Sequence, residues 1–177
     1  MTEQQRAADP REELAERLFE STLHGLEVMN VYLGDVLGLY RTLHANGPAT
    51  APELAERAGV AERYAQEWLE GQAASGFLAV DDVEAAPRER RYALSDGYAE
   101  VLTDPDSLYF AASLPQLAGL FGPLLPRLEE AFRTGEGIAW SDFGPQMASS
   151  QGDFNARGSR PRSAPSTCRR SLTSTSG

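Results

Sequence analysis

Thr50 to Val80 reads TAPELAERAGVAERYAQEWLEGQAASGFLAV, and the fold turns on how it is punctuated. Thr50-Ala-Pro-Glu53 is a capping box: the Thr50 hydroxyl can accept from the N3 amide while Glu53 reaches back to the cap amide. Pro52 falls in the first turn, where its missing N–H costs nothing. Leu54, Ala55 and Ala58 share one face, and Gly59 closes this short helix. A second helix is predicted from Ala61 to about Ser75, with Tyr64, Ala65, Trp68, Leu69 and Gln72 or Ala73 inward and Gly76 as its cap. Phe77–Val80 then reads as a strand, Asp81–Arg90 as a charged loop, Arg91–Leu94 as a return strand, and Ser95 as the start of another helix through Leu102. Helix, glycine turn, helix and hairpin in that order make a winged helix-turn-helix.

Outward toward the N-terminus, the pattern from Pro10 to Asn46 is helical. Leu14, Leu18, Thr22, Leu26, Met29, Leu33, Val36, Leu37, Tyr40 and Leu43 recur at spacings of three and four. Val28, Val31, Tyr32 and Leu39 lie off that stripe, so the helix is apolar on more than one side. One side is expected to meet the body and the other a second subunit. The predicted homodimer interface is Met29, Leu33, Val36, Leu37 and Tyr40. Asn46-Gly47-Pro48 ends the stretch.

Outward toward the C-terminus, a helix is predicted from Asp106 to Gly119, interrupted at Gly122-Pro123 and resumed from Leu124 to Thr134. Ile138, Trp140, Phe143 and Met147 follow, too few to form a core of their own. The fold class is therefore mainly α, a winged helix-turn-helix with a small β-hairpin plus accessory helices and a disordered C-terminal tail. The chain divides into the N-terminal helices and winged helix at 10–103, accessory helices and a linker at 104–155, and the tail at 156–177.

The charge distribution sets the tail apart. The chain holds 16 arginines and no lysine. Up to Asn155 there are 11 arginines against 26 acids; from Ala156 onward there are 5 arginines and no acid. The tail has nine Ser/Thr, one leucine and no aromatic residue, so it buries too little to offset the entropy of ordering. Its abrupt onset in an Ala-, Arg- and Gly-rich chain suggests GC-rich DNA read out of frame. A basic interaction tail is the other reading.

Function classes narrow quickly. No apolar run approaches the length of a transmembrane helix, and Met1–Pro10 lacks the apolar core of a secretory signal, so a cytoplasmic protein is expected. The two histidines, His24 and His44, lie far apart without a neighbouring thiol, so no metal site is predicted. Cys168 stands alone in the tail, and nothing assembles a Ser-His-Asp arrangement; no catalytic residue is assigned. Asp81-Asp82 and Glu129-Glu130 read as solvated charge. DNA is the partner such a fold invites, through Arg63 on the second helix and Arg88, Arg90 and Arg91 on the wing. Between Thr50 and Leu94, however, 5 arginines face 9 acids, a poor balance for phosphate.

The run VYLGDVLGLYRTLHANGPATAPELAERAGVAERYAQEWLEGQAASGFLAV, with RYALSDGYAEVLTDPDS and EAFRTGEGIAWSDFG, resembles the N-terminal winged-helix domain of bacterial class I S-adenosylmethionine-dependent methyltransferases. YLG-x-x-LGLY and the run Arg63, Tyr64, Ala65, Glu67, Trp68, Leu69 are its most specific parts. The resemblance covers Leu14 to Asn155. It implies a dimerisation module that roofs the substrate pocket of a following Rossmann-like domain, with Tyr32, Trp140, Phe143 and Met147 as candidate lid residues and a small-molecule methyl acceptor. Some family members carry the label of transcriptional regulator. Gly135-Glu-Gly137 follows a helix rather than a strand, so it does not supply the cofactor turn. No cofactor-binding residue is therefore assigned, and the 177 residues are expected to be catalytically inert alone. A DNA-binding regulator and a stand-alone protein-interaction module are the alternatives.

Overall fold

A computed structural model describes residues 9–143. The tail from Ala156, with its predicted disorder, lies outside the described residues, as does Met147. Among the described residues, seven α-helices and one two-stranded antiparallel sheet follow in chain order: α1 (Pro10–Val36), α2 (Leu39–Asn46), α3 (Ala51–Ala58), α4 (Glu62–Ala74), β1 (Ala79–Val80), β2 (Tyr92–Ala93), α5 (Asp96–Thr103), α6 (Leu114–Phe121) and α7 (Leu125–Thr134). Short 3-10 turns cover Gly122–Leu124 and Trp140–Phe143. Among the described residues no helix is long and apolar enough to cross a membrane.

The winged helix forms as its punctuation dictates. The capping box is complete: the Glu53 amide donates to Thr50 Oγ1 at 3.4 Å, and the Thr50 amide to Glu53 Oε2 at 2.9 Å. Gly59, at φ +69°, turns the chain from α3 into α4, a conformation that costs an L side chain but not glycine. Leu54, Leu69, Leu78, Tyr92 and Leu102 pack with Tyr40 and Leu43 into one core.

The hairpin is shorter than Phe77–Val80 and Arg91–Leu94 suggest. Phe77 and Leu78 spend their amides on the Gln72 carbonyl, at 2.9 and 3.2 Å, which closes α4 instead of opening a strand. Ala79 pairs with Ala93 and Val80 with Tyr92. Ala49 adds a third rung, exchanging both main-chain hydrogen bonds with Tyr92.

Two further expectations are corrected. The Pro10–Asn46 helix breaks at Leu37-Gly38, where Gly38 takes φ +69° and α2 sets off in a new direction. Arg41 bridges the break, donating to the Asp35 carboxylate at 2.9 Å and to its carbonyl at 2.8 Å. The helix predicted from Asp106 starts only at Leu114, with Pro115 in its first turn. The residues before it are held as turns, by the Asp106 amide on Asp104 Oδ1 and the Ser107 hydroxyl on Glu100 Oε1.

Candidate functional site

Helix α1 has two faces with different fates. Val31 and Asp35 are buried against the body. Close approach is possible because residue 34 is glycine: a Cβ there would lie 2.6 Å from Trp68 Cζ2 and closer still to the Tyr40 ring. The Trp68 and Tyr40 rings meet edge to face, with centroids 5.0 Å apart, and the Tyr40 hydroxyl donates to Gln72 Oε1. Burial, with the nearby Asp35 charge, pushes the Tyr40 hydroxyl far above the usual phenol range.

The opposite face is uncovered. At 3.6 residues per turn, Met29, Leu33 and Val36 lie across the helix from Val31 and Asp35, and all three are exposed. Leu37, just past the end of α1, is exposed as well. Four of the five predicted interface residues thus share an open apolar surface. Tyr40 does not: only 1% exposed, it belongs to the core. The break at Gly38 redirects α2 and turns Tyr40 inward, although its spacing continues the stripe.

Beside that face runs an apolar groove of about 510 Å³ between α1 and α4, walled by Leu33, Leu37, Val60, Tyr64 and Trp68, with Asn30 at one edge. Tyr64, expected inward, is 72% exposed and forms the outer wall. Periodicity missed the groove because it needs two helices at a known distance.

The proposed lid residues are scattered along the chain. The Tyr32 ring packs under α6, so close that a Cβ on Gly119 would lie 3.0 Å from it. Phe143 ends the second 3-10 turn, which Arg127 ties to α7 through Asp142 at 2.6 Å. Trp140 begins that turn, and its side chain lies outside what is described, as does all of Met147. Helix α7 buries none of its residues, and Phe132 is 85% exposed.

The wing arginines are engaged with acids. Arg88 pairs with Glu62 at 2.8 Å, and Arg90 with Glu70 at 3.8 Å. Arg91 pairs with Glu53 at 3.1 Å and donates to the Pro48 carbonyl at 2.7 Å. Arg63 is exposed on α4. The Thr50 amide, followed by Arg91, holds the Glu53 carboxyl below its ordinary range. Asp81 is lowered likewise by the Arg91 amide. Three of the four candidate DNA contacts thus face carboxylates, which oppose phosphate. Among the described residues no cluster of three His, Cys, Asp or Glu side chains can hold a metal ion.

Residues 25–104 match the family model described as Rv2258c-like winged HTH domain. No curated sequence relative matches the chain. Among solved structures, PigF with SAH is similar at TM-score 0.60 and 18% identity, over 82% of this chain and 45% of that one. Human N-acetylserotonin methyltransferase (ASMT) in complex with SAM is similar at TM-score 0.60 and 17% identity, over 84% of this chain and 44% of that one. The mitomycin 7-O-methyltransferase MmcR follows at TM-score 0.53 and 21% identity, over 84% and 44%. At these identities the likeness is one of fold, and the chain spans less than half the length of each of these structures.

Proposed function

Taking residues 25–104 as an Rv2258c-like winged helix-turn-helix domain, we propose that the chain is the dimerisation and substrate-lid module of an S-adenosylmethionine-dependent methyltransferase, acting in the cytoplasm. The observation that carries this reading is the fold match to methyltransferase structures, which extends over more than four-fifths of the chain and takes in the accessory helices as well as the winged helix. A winged helix alone is shared by many functions; the added helices narrow the choice. In this reading Met29, Leu33, Val36 and Leu37 meet a second copy. Tyr32, Trp140, Phe143 and Met147 belong to the roof over a small-molecule methyl acceptor. In this reading no cofactor contact or methyl-transfer role is assigned to any of these 177 residues, since transfer demands an acceptor positioned against the sulfonium methyl.

The acid-paired wing weighs against the regulator alternative. Two measurements test the choice. Light scattering is expected to give a dimer mass, and fluorescence anisotropy with duplex DNA is expected to stay flat at moderate salt. Saturable DNA binding that weakens steeply as salt rises would establish the regulator instead. A chain that remains monomeric at high micromolar concentration removes the dimerisation role.

A further inference from the structure

We propose that α1 of one copy lies antiparallel along α1 of a second copy about a two-fold axis at Leu26, so that Phe19 of each chain enters the groove between α1 and α4 of the other. The proposal rests on the homodimer reading above and specifies how the two chains meet.

Every residue from Pro10 to Leu26 is exposed, so more than half of α1 projects from the body as an arm. Most of a helix's stability in a protein comes from packing its apolar face, and this stretch has no such cover within its own chain. Its apolar residues are Leu14, Leu18, Phe19, Leu23 and Leu26, with Phe19 65% exposed. Leu18, Phe19 and Leu26 continue into Met29, Leu33 and Val36 on the face turned away from the core, with Leu14 and Leu23 at its two margins.

The arm cannot fill its own chain's groove. Arm and groove wall belong to one continuous helix, and residues 19 and 33 are about 21 Å apart along it. A second copy satisfies arm and groove together. In a two-fold arrangement, residue i meets j and j meets i, and an antiparallel pair keeps the sum of their numbers constant. An axis at Leu26 sets Leu26 against its own copy, Leu23 against Met29 and Phe19 against Leu33, and it brings Leu14 and Leu18 on either side of Leu37. Each pairing is apolar on both sides. Leu33 and Leu37 are also groove walls, so the bulkiest side chain of the arm arrives where the open volume is. A small apolar ligand could occupy the groove but would leave the arm bare.

Disulfide trapping tests the arrangement in the full chain with Cys168→Ser. Leu26→Cys is expected to cross-link to its own copy on mild oxidation. The double variant Phe19→Cys/Leu33→Cys is expected to cross-link only between chains, because its two sulfurs cannot meet within one helix. His24→Cys, on the opposite side of the arm, is the control; trapping at Leu26 is expected about tenfold or more above it, since a disulfide tolerates little separation. All of these positions are exposed, and circular dichroism checks that each variant is folded. A dimer mass with no cross-link at either test site overturns this arrangement and leaves the homodimer standing. A monomer mass at high micromolar concentration overturns both.

Discussion

The indole Nε1 of Trp68 donates to the main-chain carbonyl of Asn30 at 2.9 Å. Helix α4 is thereby fastened to the backbone of α1, one turn ahead of the glycine that lets the two helices come close. Trp68→Phe keeps most of the ring volume and loses the donor. A destabilisation of about 1–2 kcal/mol is expected, read from the urea midpoint by circular dichroism. An unchanged midpoint would mean that the hydrogen bond adds nothing to packing.

Two glycines of α1 should respond to alanine with opposite signs. At Gly34 a methyl group meets the Tyr40 and Trp68 rings, and Gly34→Ala is expected to cost about 1–3 kcal/mol through overpacking. At Gly25 nothing lies within 4 Å, and Gly25→Ala is expected to gain about 0.5–1 kcal/mol from helix propensity. Thermal unfolding of the pair checks both signs.

The wing should weaken in acid. Glu53 is held below its ordinary value of 4.5 by the Thr50 amide and Arg91. A depressed carboxylate contributes stability that is present above its unfolded value and lost as pH falls through its folded one. Glu53→Gln is therefore expected to destabilise the protein near neutral pH and to change little once both proteins are well below that window. Thr50→Ala, which removes the other half of the capping box, is expected to cost about 1 kcal/mol at neutral pH. Urea titrations across the acid range separate the two.

If the proposed homodimer forms, charge on the open face of α1 should dissolve it without unfolding the protomer. Leu33→Asp with Leu37→Asp is expected to shift the light-scattering mass to that of a monomer, while the helical circular dichroism signal persists. Loss of helix together with mass would assign these residues to the fold instead.

S-adenosylmethionine titrated into this chain should give no saturable heat at millimolar ligand. A few apolar contacts from a roof seldom offset the entropy lost on binding. A dissociation constant in the low micromolar range would reveal a cofactor site within the 177 residues.

The winged helix was legible because its signals are local: Thr50 and Glu53 cap within one turn, and Gly59 and Gly76 mark the helix ends. What escaped the sequence depends on distance in space. The Tyr40 position continues the apolar spacing of α1, and only the turn at Gly38 reveals that it faces inward. The Ala49–Tyr92 rung joins residues far apart in the chain and carries no periodic trace. Tyr64 occupies an inward position by count, yet the gap between α1 and α4 leaves it as a wall. The apolar face of Met29, Leu33, Val36 and Leu37 was legible as a stripe, and its exposure only in three dimensions.

Asp35 accepts from Arg41 at 2.9 Å and from Gln116 at 2.6 Å. One buried carboxylate therefore pegs α2 and α6 to the last turn of α1, the same rod whose free end forms the arm. A tilt of that rod carries α6 with it as a crank carries its pin. If two rods lock together as proposed, the angle between them also sets the angle between the two α6 helices pegged to them.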